Sequence, residues 1–206
     1  MNKKDLVAPD TYNIVSEIEK YIADENKKAI IFENAEGETH SITYNQLVKN
    51  ANQVGNMFLK HGLQKGDKVL VMMPRSIETY EIYIAALKLG IVVIPSSEML
   101  RTKDLQYRIS HGEVKAIVVT ADSIDEFKAV KEYNTLTKFI VGGEYEDWYT
   151  VDSESAKETD ELQIVETSKD DVALLSYTSG TTGNPKAVVH SHGWGYAHMQ
   201  MAPKHW

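Results

Sequence analysis

The chain has 206 residues, with 22 Lys and Arg against 30 Asp and Glu, a formal net charge of -8, no Cys and 42% hydrophobic residues. That balance describes one or two globular domains large enough to bury a core. It removes disulfides and thiolate sites, and with no apolar run near the roughly 20 residues needed to span a bilayer and no apolar export signal in residues 1–10, a cytoplasmic protein is expected.

Net negative charge disfavours binding to a polynucleotide backbone. The acidity is local, however: residues 142–170 hold ten Asp or Glu against Lys157 and Lys169, and the remaining chain is balanced.

In chain order, Ala29 to Phe32 reads as the first strand and Ser41 to Tyr44 as a short edge strand. Thr43 and Gln46 have the spacing of a capping box for a helix that runs to about His61, with Leu47, Ala51, Val54 and Phe58 on its inner face and Gly62 as its stop. Lys68 to Met73 reads as a buried strand ended by Pro74. Ser76 to Leu89 reads as a helix facing inward through Ile77, Tyr80, Ile84 and Leu87, and Val92 to Pro95 is the next strand. A helix from Thr102 to Ser110, a strand from Lys115 to Thr120, a helix from Ser123 to Tyr133 and a strand from Lys138 to Val141 continue the alternation. Strands that are apolar throughout, alternating with helical periods, predict an α/β fold: a layered, mostly parallel sheet flanked by helices. Residues 142–170, rich in acidic residues, Ser and Thr, read as a solvated excursion joining an α/β subdomain (1–141) to the start of a second one (171–206).

Asp171 to Tyr177 is again strand-like and leads into Thr178, Ser179, Gly180, Thr181, Thr182, Gly183, Asn184, Pro185 and Lys186. Glycines let backbone N–H groups approach a ligand, hydroxyls donate further hydrogen bonds, and Lys186 supplies a compact positive charge, so the composition suits a polyphosphate. A polar hairpin turn without a ligand is the other reading of the same residues. The segment differs from the nucleotide-binding loop that opens a helix: Ala187 stands where a metal-binding hydroxyl would be, and Val188, Val189 and His190 continue as a strand.

From Thr178 to Lys186, and on through Val188, Val189, His190, Ser191 and His192, the string resembles the phosphate-binding signature of the adenylate-forming (AMP-binding) enzymes. These include acyl-CoA and aryl-CoA synthetases, firefly luciferase and the adenylation domains of nonribosomal peptide synthetases. Ser41-Ile42-Thr43-Tyr44, Gly66-Asp67-Lys68-Val69 and the run from Leu89 to Pro95 extend the resemblance over essentially the whole chain, and the stretch from His190 to Trp194 is similar to the acyl-CoA synthetase branch. The resemblance implies ATP, Mg²⁺ and CoA as cofactors and a small or medium carboxylic acid as substrate: the acid and ATP give an acyl-adenylate and pyrophosphate, and the acyl group then passes to CoA. It further implies that Thr178, Ser179, Gly180, Thr181, Thr182 and Gly183 wrap the β and γ phosphates while Lys186 adds charge at the end of the loop, with no residue here forming a covalent intermediate.

His190, His192 and His198 could be put forward as a metal or general-base cluster, but no Cys accompanies them, and His192 is expected to pin the strand while His198 lies on a following helix. Trp194 reads as a packing residue or as a border of the substrate site, and Arg75 as a surface residue. The family's adenine and ribose motifs and its mobile C-terminal domain do not occur up to Trp206, so the expectation is an N-terminal fragment, itself inactive, of an acyl-CoA synthetase. Another adenylate-forming ligase, with a peptide-synthetase or luciferase-like role, and a non-catalytic nucleotide-binding module are the alternatives.

Overall fold

Strands β1 (Lys28–Glu33) and β2 (Thr39–Thr43) form an antiparallel hairpin in the computed structural model, which describes residues 3–34, 36–178 and 185–205. A one-turn helix, α1 (Ser16–Glu19), precedes them, and α2 (Tyr44–Lys60) follows directly. Thr43 caps α2 from an extended backbone, its Oγ1 accepting the Gln46 N–H at 3.3 Å. The reciprocal half of the expected box does not form, because the Gln46 amide reaches forward to Asn50 Oδ1 at 2.7 Å. Leu47, Ala51, Val54 and Phe58 are all buried, and beyond the helix Gly62 takes a φ of +81° that few other residues tolerate.

The main sheet is built from β3 (Lys68–Met72), β4 (Val92–Pro95), β5 (Ala116–Thr120), β6 (Thr137–Val141), β7 (Tyr149–Thr150), β8 (Val172–Thr178) and β9 (Lys186–Ser191). Their spatial order is β7-β6-β5-β3-β4-β8-β9, parallel throughout except for β9, which runs antiparallel to β8. The connecting helices are α3 (Ile77–Lys88), α4 (Thr102–Gly112), α5 (Ile124–Lys128) and α6 (Val151–Ser155), and α7 (His192–His205) follows the last strand.

Successive strand residues feed two different cores. Val69, Val71, Val93, Val118 and Phe139 point to the face covered by α2 and α3, whereas Leu70, Met72, Ile94, Ile117, Val119 and Ile140 point to the face covered by α4 and α5. Both faces are dry, which is why these strands are apolar at every position. Phe58 meets Phe139 edge-on at 5.3 Å, and burying each ring contributes about 3 kcal/mol. Because α3 leaves β3 for one face and α4 leaves β4 for the other, the chain changes direction between these neighbours, and a crevice at the carboxyl ends of the strands is the expected place for a ligand.

Two local expectations are corrected. In α3 the buried residues are Ile82, Ile84, Ala85, Ala86 and Lys88, while Tyr80 is 48% exposed, because the helix packs between the sheet and α2 and so buries two flanks. After α5, the residues to Leu136 form tight turns closed by Val130 N–H to Phe127 O and Tyr133 N–H to Val130 O, in place of a helix to Tyr133. Those turns direct Val130, Tyr133 and Leu136 toward one core.

The acidic stretch is mostly exposed, as a surface connector should be, but it does not run free of the fold. Its backbone is strapped along α2: Asn52 Nδ2 donates to Asp160 O (2.8 Å), Gln53 Nε2 to Glu158 O (3.1 Å), and Asn56 Nδ2 to Thr159 O (2.9 Å) and Glu161 O (3.0 Å). Val165 N–H then donates to Lys88 O at 3.0 Å, and Trp148, Val151 and Thr167 are buried. Side-chain amides on the polar face of α2 satisfy carbonyls that would otherwise need water.

Candidate functional site

Of the loop residues singled out from the sequence, Ser179, Gly180, Thr181, Thr182 and Gly183 lie outside the described residues. The two that flank them, Thr178 and Lys186, are brought together as the last residue pair of the β8–β9 ladder, and Thr178 Oγ1 reaches Lys186 O at 3.5 Å. The two ends of the loop are therefore fixed on antiparallel strands at the carboxyl end of β8, beside β4, where the topology leaves a crevice. The loop opens into a strand and not a helix, so no helix dipole assists it.

Thr178 and Lys186 are exposed, and Lys186 has no carboxylate partner among the described residues. Beyond Asp171 the sequence has no Asp or Glu at all, so the hairpin, its loop and α7 carry only cations as formal charges. An uncompensated ammonium beside a segment rich in glycine and hydroxyl groups fits a polyanion and repels nothing in it. The absence of carboxylates here is a signal that inspection of the acidic segment alone overlooks.

Helix α4 supplies three groups at the neck of this hairpin that motif reading misses. The Tyr107 hydroxyl donates to Pro185 O at 3.3 Å, His111 Nδ1 and the Tyr177 hydroxyl share a hydrogen bond of 2.8 Å, and the Arg108 guanidinium lies 5.3 Å from the centre of the Tyr177 ring. Burial raises the pKa of the Tyr177 phenol above its ordinary value, so it remains a neutral hydroxyl. The spacing of Tyr107 and His111, one turn apart on α4, was the available sequence signal.

The three histidines do not converge. His190 stacks on Trp194 (4.4 Å between ring centres) and Trp194 on His198 (4.3 Å), forming a ladder from β9 along α7, with Trp194 44% exposed. His192 is fully buried at the start of α7, where its Nδ1 accepts the Ile14 N–H at 3.2 Å. It pins the N-terminal segment, not the strand. Burial lowers its pKa to about 4, so the ring is neutral near pH 7. Among the described residues no group of three or more His, Cys, Asp or Glu could hold a metal ion, and Arg75 is exposed, as expected.

Gly193 makes the docking of α7 possible. Its N–H donates to Lys169 O at 2.8 Å, and a Cβ built there would stand 2.9 Å from that same oxygen. Gly193→Ala should therefore destabilise the fold by about 1–3 kcal/mol, read as a lower urea midpoint with an unchanged slope. A hollow of about 320 Å³ lined by Val92, Val172, Leu175 and Val189 opens toward the amino ends of β3, β4 and β8, away from the loop.

Residues 20–204 match the family profile described as AMP-binding enzyme. An uncharacterized acyl–CoA ligase of Bacillus subtilis, YtcI, is 43% identical over 206 residues, covering all of this chain and 39% of the relative. The acetyl-coenzyme A synthetase of the same organism is 33% identical over 171 residues, covering 81% of this chain and 30% of the relative. The chain thus spans well under half the length of the curated relatives it matches.

Among solved structures, an anthranilate CoA ligase, AuaEII, in complex with anthranoyl-AMP superposes with a TM-score of 0.84 at 24% identity, over 94% of this chain and 37% of that one, a likeness of fold. ATP-bound MatB from Rhodopseudomonas palustris gives 0.74 at 29% identity, over 87% of this chain and 35% of that one. Among the described residues no helix is long and apolar enough to cross a membrane. A profile match over nearly the full chain, relatives above 30% identity and an open, mostly parallel sheet ending in the glycine-rich hairpin agree: the chain belongs to the AMP-binding enzyme family.

Proposed function

We propose that this chain supplies the phosphate-binding part of an ATP-dependent acid–thiol ligase, an acyl-CoA synthetase acting on a small or medium carboxylic acid. The observation that carries the reading is the pairing of Thr178 with Lys186, the two residues that flank the glycine-rich segment, at the carboxyl end of β8 in a stretch of chain free of carboxylates. In this reading the carboxylate oxygen of the acid attacks the α-phosphorus of ATP and pyrophosphate departs with its electron pair; the CoA thiol, losing its proton, then attacks the acyl carbon of the adenylate and AMP departs with the electron pair of the acyl–oxygen bond. Catalysis then consists of positioning reactants and neutralising charge.

Thr178, Ser179, Thr181 and Thr182 would donate hydroxyl hydrogen bonds to the β and γ phosphates, and Gly180 and Gly183 would let the backbone N–H groups approach. The Lys186 ammonium would hold the pyrophosphate charge as it develops. Mg²⁺ would be carried on the nucleotide phosphates, as is usual for that ion. The same reading assigns a cytoplasmic setting, where ATP and CoA are both at hand.

The experiment is ATP–pyrophosphate exchange with a panel of carboxylic acids on the protein that contains this chain. Acid-dependent exchange is expected, and Lys186→Ala should raise the KM for ATP about tenfold, equivalent to one charge-assisted hydrogen bond, while leaving the KM for the acid unchanged. Exchange with no acid on the panel would overturn the assignment.

A further inference from the structure

We propose that α4 is the positioning element of the phosphate loop: Tyr107 and His111 hold its exit and its entrance from a single helical turn, and so set the width of its mouth. The proposal rests on the phosphate-loop reading above and adds two positioning residues to it.

The two contacts fall on opposite ends of the loop. Tyr107 donates to the carbonyl of Pro185, the residue before Lys186, at 3.3 Å, and His111 bonds at 2.8 Å to the hydroxyl of Tyr177, the residue before Thr178. The rings form one cluster: Tyr107 and His111 stack at 5.2 Å, and each meets Tyr177 edge-on, at 6.1 and 5.7 Å. Gly112 completes the fit, since a Cβ there would stand 3.2 Å from the Tyr177 hydroxyl and 3.0 Å from Ile94 Cδ1.

The hairpin alone is poorly equipped for this task. β9 is the edge strand of the sheet, so its outer side has no neighbouring strand, and beyond the Thr178–Lys186 pair the only side-chain link across the mouth among the described residues is the long Thr178 Oγ1 to Lys186 O contact of 3.5 Å. A glycine-rich segment loses much conformational freedom when it wraps a ligand. Fixing both of its ends beforehand reduces what binding must order. α4 can do so because it is anchored elsewhere, with Leu105 and Ile109 buried in the core under the sheet.

The test combines hydrogen–deuterium exchange of residues 179–184 with exchange kinetics, on the protein that contains this chain. Tyr107→Phe keeps the ring and removes the hydroxyl. It should speed amide exchange in 179–184 about tenfold in the nucleotide-free protein while β3 to β6 are unchanged, and it should raise the KM for ATP more than it lowers kcat. His111→Ala should act in the same direction, and His111→Gln, whose amide can still bond the Tyr177 hydroxyl, should restore the ATP KM toward wild type. Unchanged loop exchange in Tyr107→Phe, with ATP still protecting the loop, would overturn the clamp and leave the phosphate reading standing. A wild-type loop protected by neither ATP nor pyrophosphate would overturn the phosphate reading, and the clamp's role with it.

Discussion

Lys88→Ala should lower the free energy of unfolding by about 3 kcal/mol, the low end of the range for breaking a buried pair. Lys88 closes the last turn of α3 and is 2% exposed; its ammonium meets Glu19 Oε1 at 2.5 Å and Asn52 Oδ1 at 2.7 Å. Asn52 in turn donates to Asp160 O, and the Lys88 carbonyl accepts the Val165 N–H, so one residue joins α1, α2, α3 and the acidic strap. Removing the ammonium strands a carboxylate that is itself mostly covered, with 24% of its side chain exposed, and leaves an amide oxygen facing it. The apolar stem of the lysine is lost as well. The two contributions separate experimentally: Lys88→Met keeps the stem and should still cost most of the 3 kcal/mol, whereas adding Glu19→Gln should recover much of it. If the double variant were no more stable than Lys88→Met, packing and not the ion pair would be what Lys88 provides. Urea denaturation of the three variants provides the measurement.

The elements that could be read from the sequence are those whose environment is uniform along their length. β3 to β6 announce themselves because both faces are buried, and α2 because Leu47, Ala51, Val54 and Phe58 recur at helical spacing on a single flank. α3 has two buried flanks, so a search for one stripe selected exposed Tyr80 and passed over Lys88, which counts as polar by type but is buried because Glu19 and Asn52 answer its charge. The strap was invisible for a related reason. Asn52, Gln53 and Asn56 look like a solvated face until Glu158 to Glu161 are laid along them, a pairing across more than a hundred residues that no local pattern encodes. The phosphate loop was legible because its own composition is unusual, whereas its bracing by Tyr107 and His111 depends on partners 78 and 66 residues away. His192 belongs to the same class: nothing near it in sequence reveals that Ile14, 178 residues earlier, donates to its ring.

That buried ring has the second large consequence. Lowering the pH from about 7.5 to about 5 should remove about 2 kcal/mol of stability through His192 alone. The folded-state pKa is depressed from 6.5 to about 4, chiefly by burial, with Lys65 adding to the shift and Asp171 opposing it. The unfolded chain therefore binds the proton first, so the contribution is complete above about pH 6.5 and is lost progressively as the pH falls toward 4. Protonation cannot be accommodated in place, because Nδ1 already accepts the Ile14 N–H and Nε2 has no partner among the described residues. The carboxylates act in a lower window: Glu154, held near 2 by Lys157 and Lys60, and Asp171, held down by Lys65, lose their contributions only below their ordinary values of 4.5 and 3.8. His192→Gln isolates the effect, since an amide oxygen can accept from Ile14 while remaining neutral. Stability measured by urea denaturation at several pH values should fall between pH 7.5 and 5 more steeply in the wild type than in this variant, by the same amount of about 2 kcal/mol. Equal slopes would mean that the ring meets water or an acceptor in solution and that the N-terminal segment is not held to α7 by a neutral histidine.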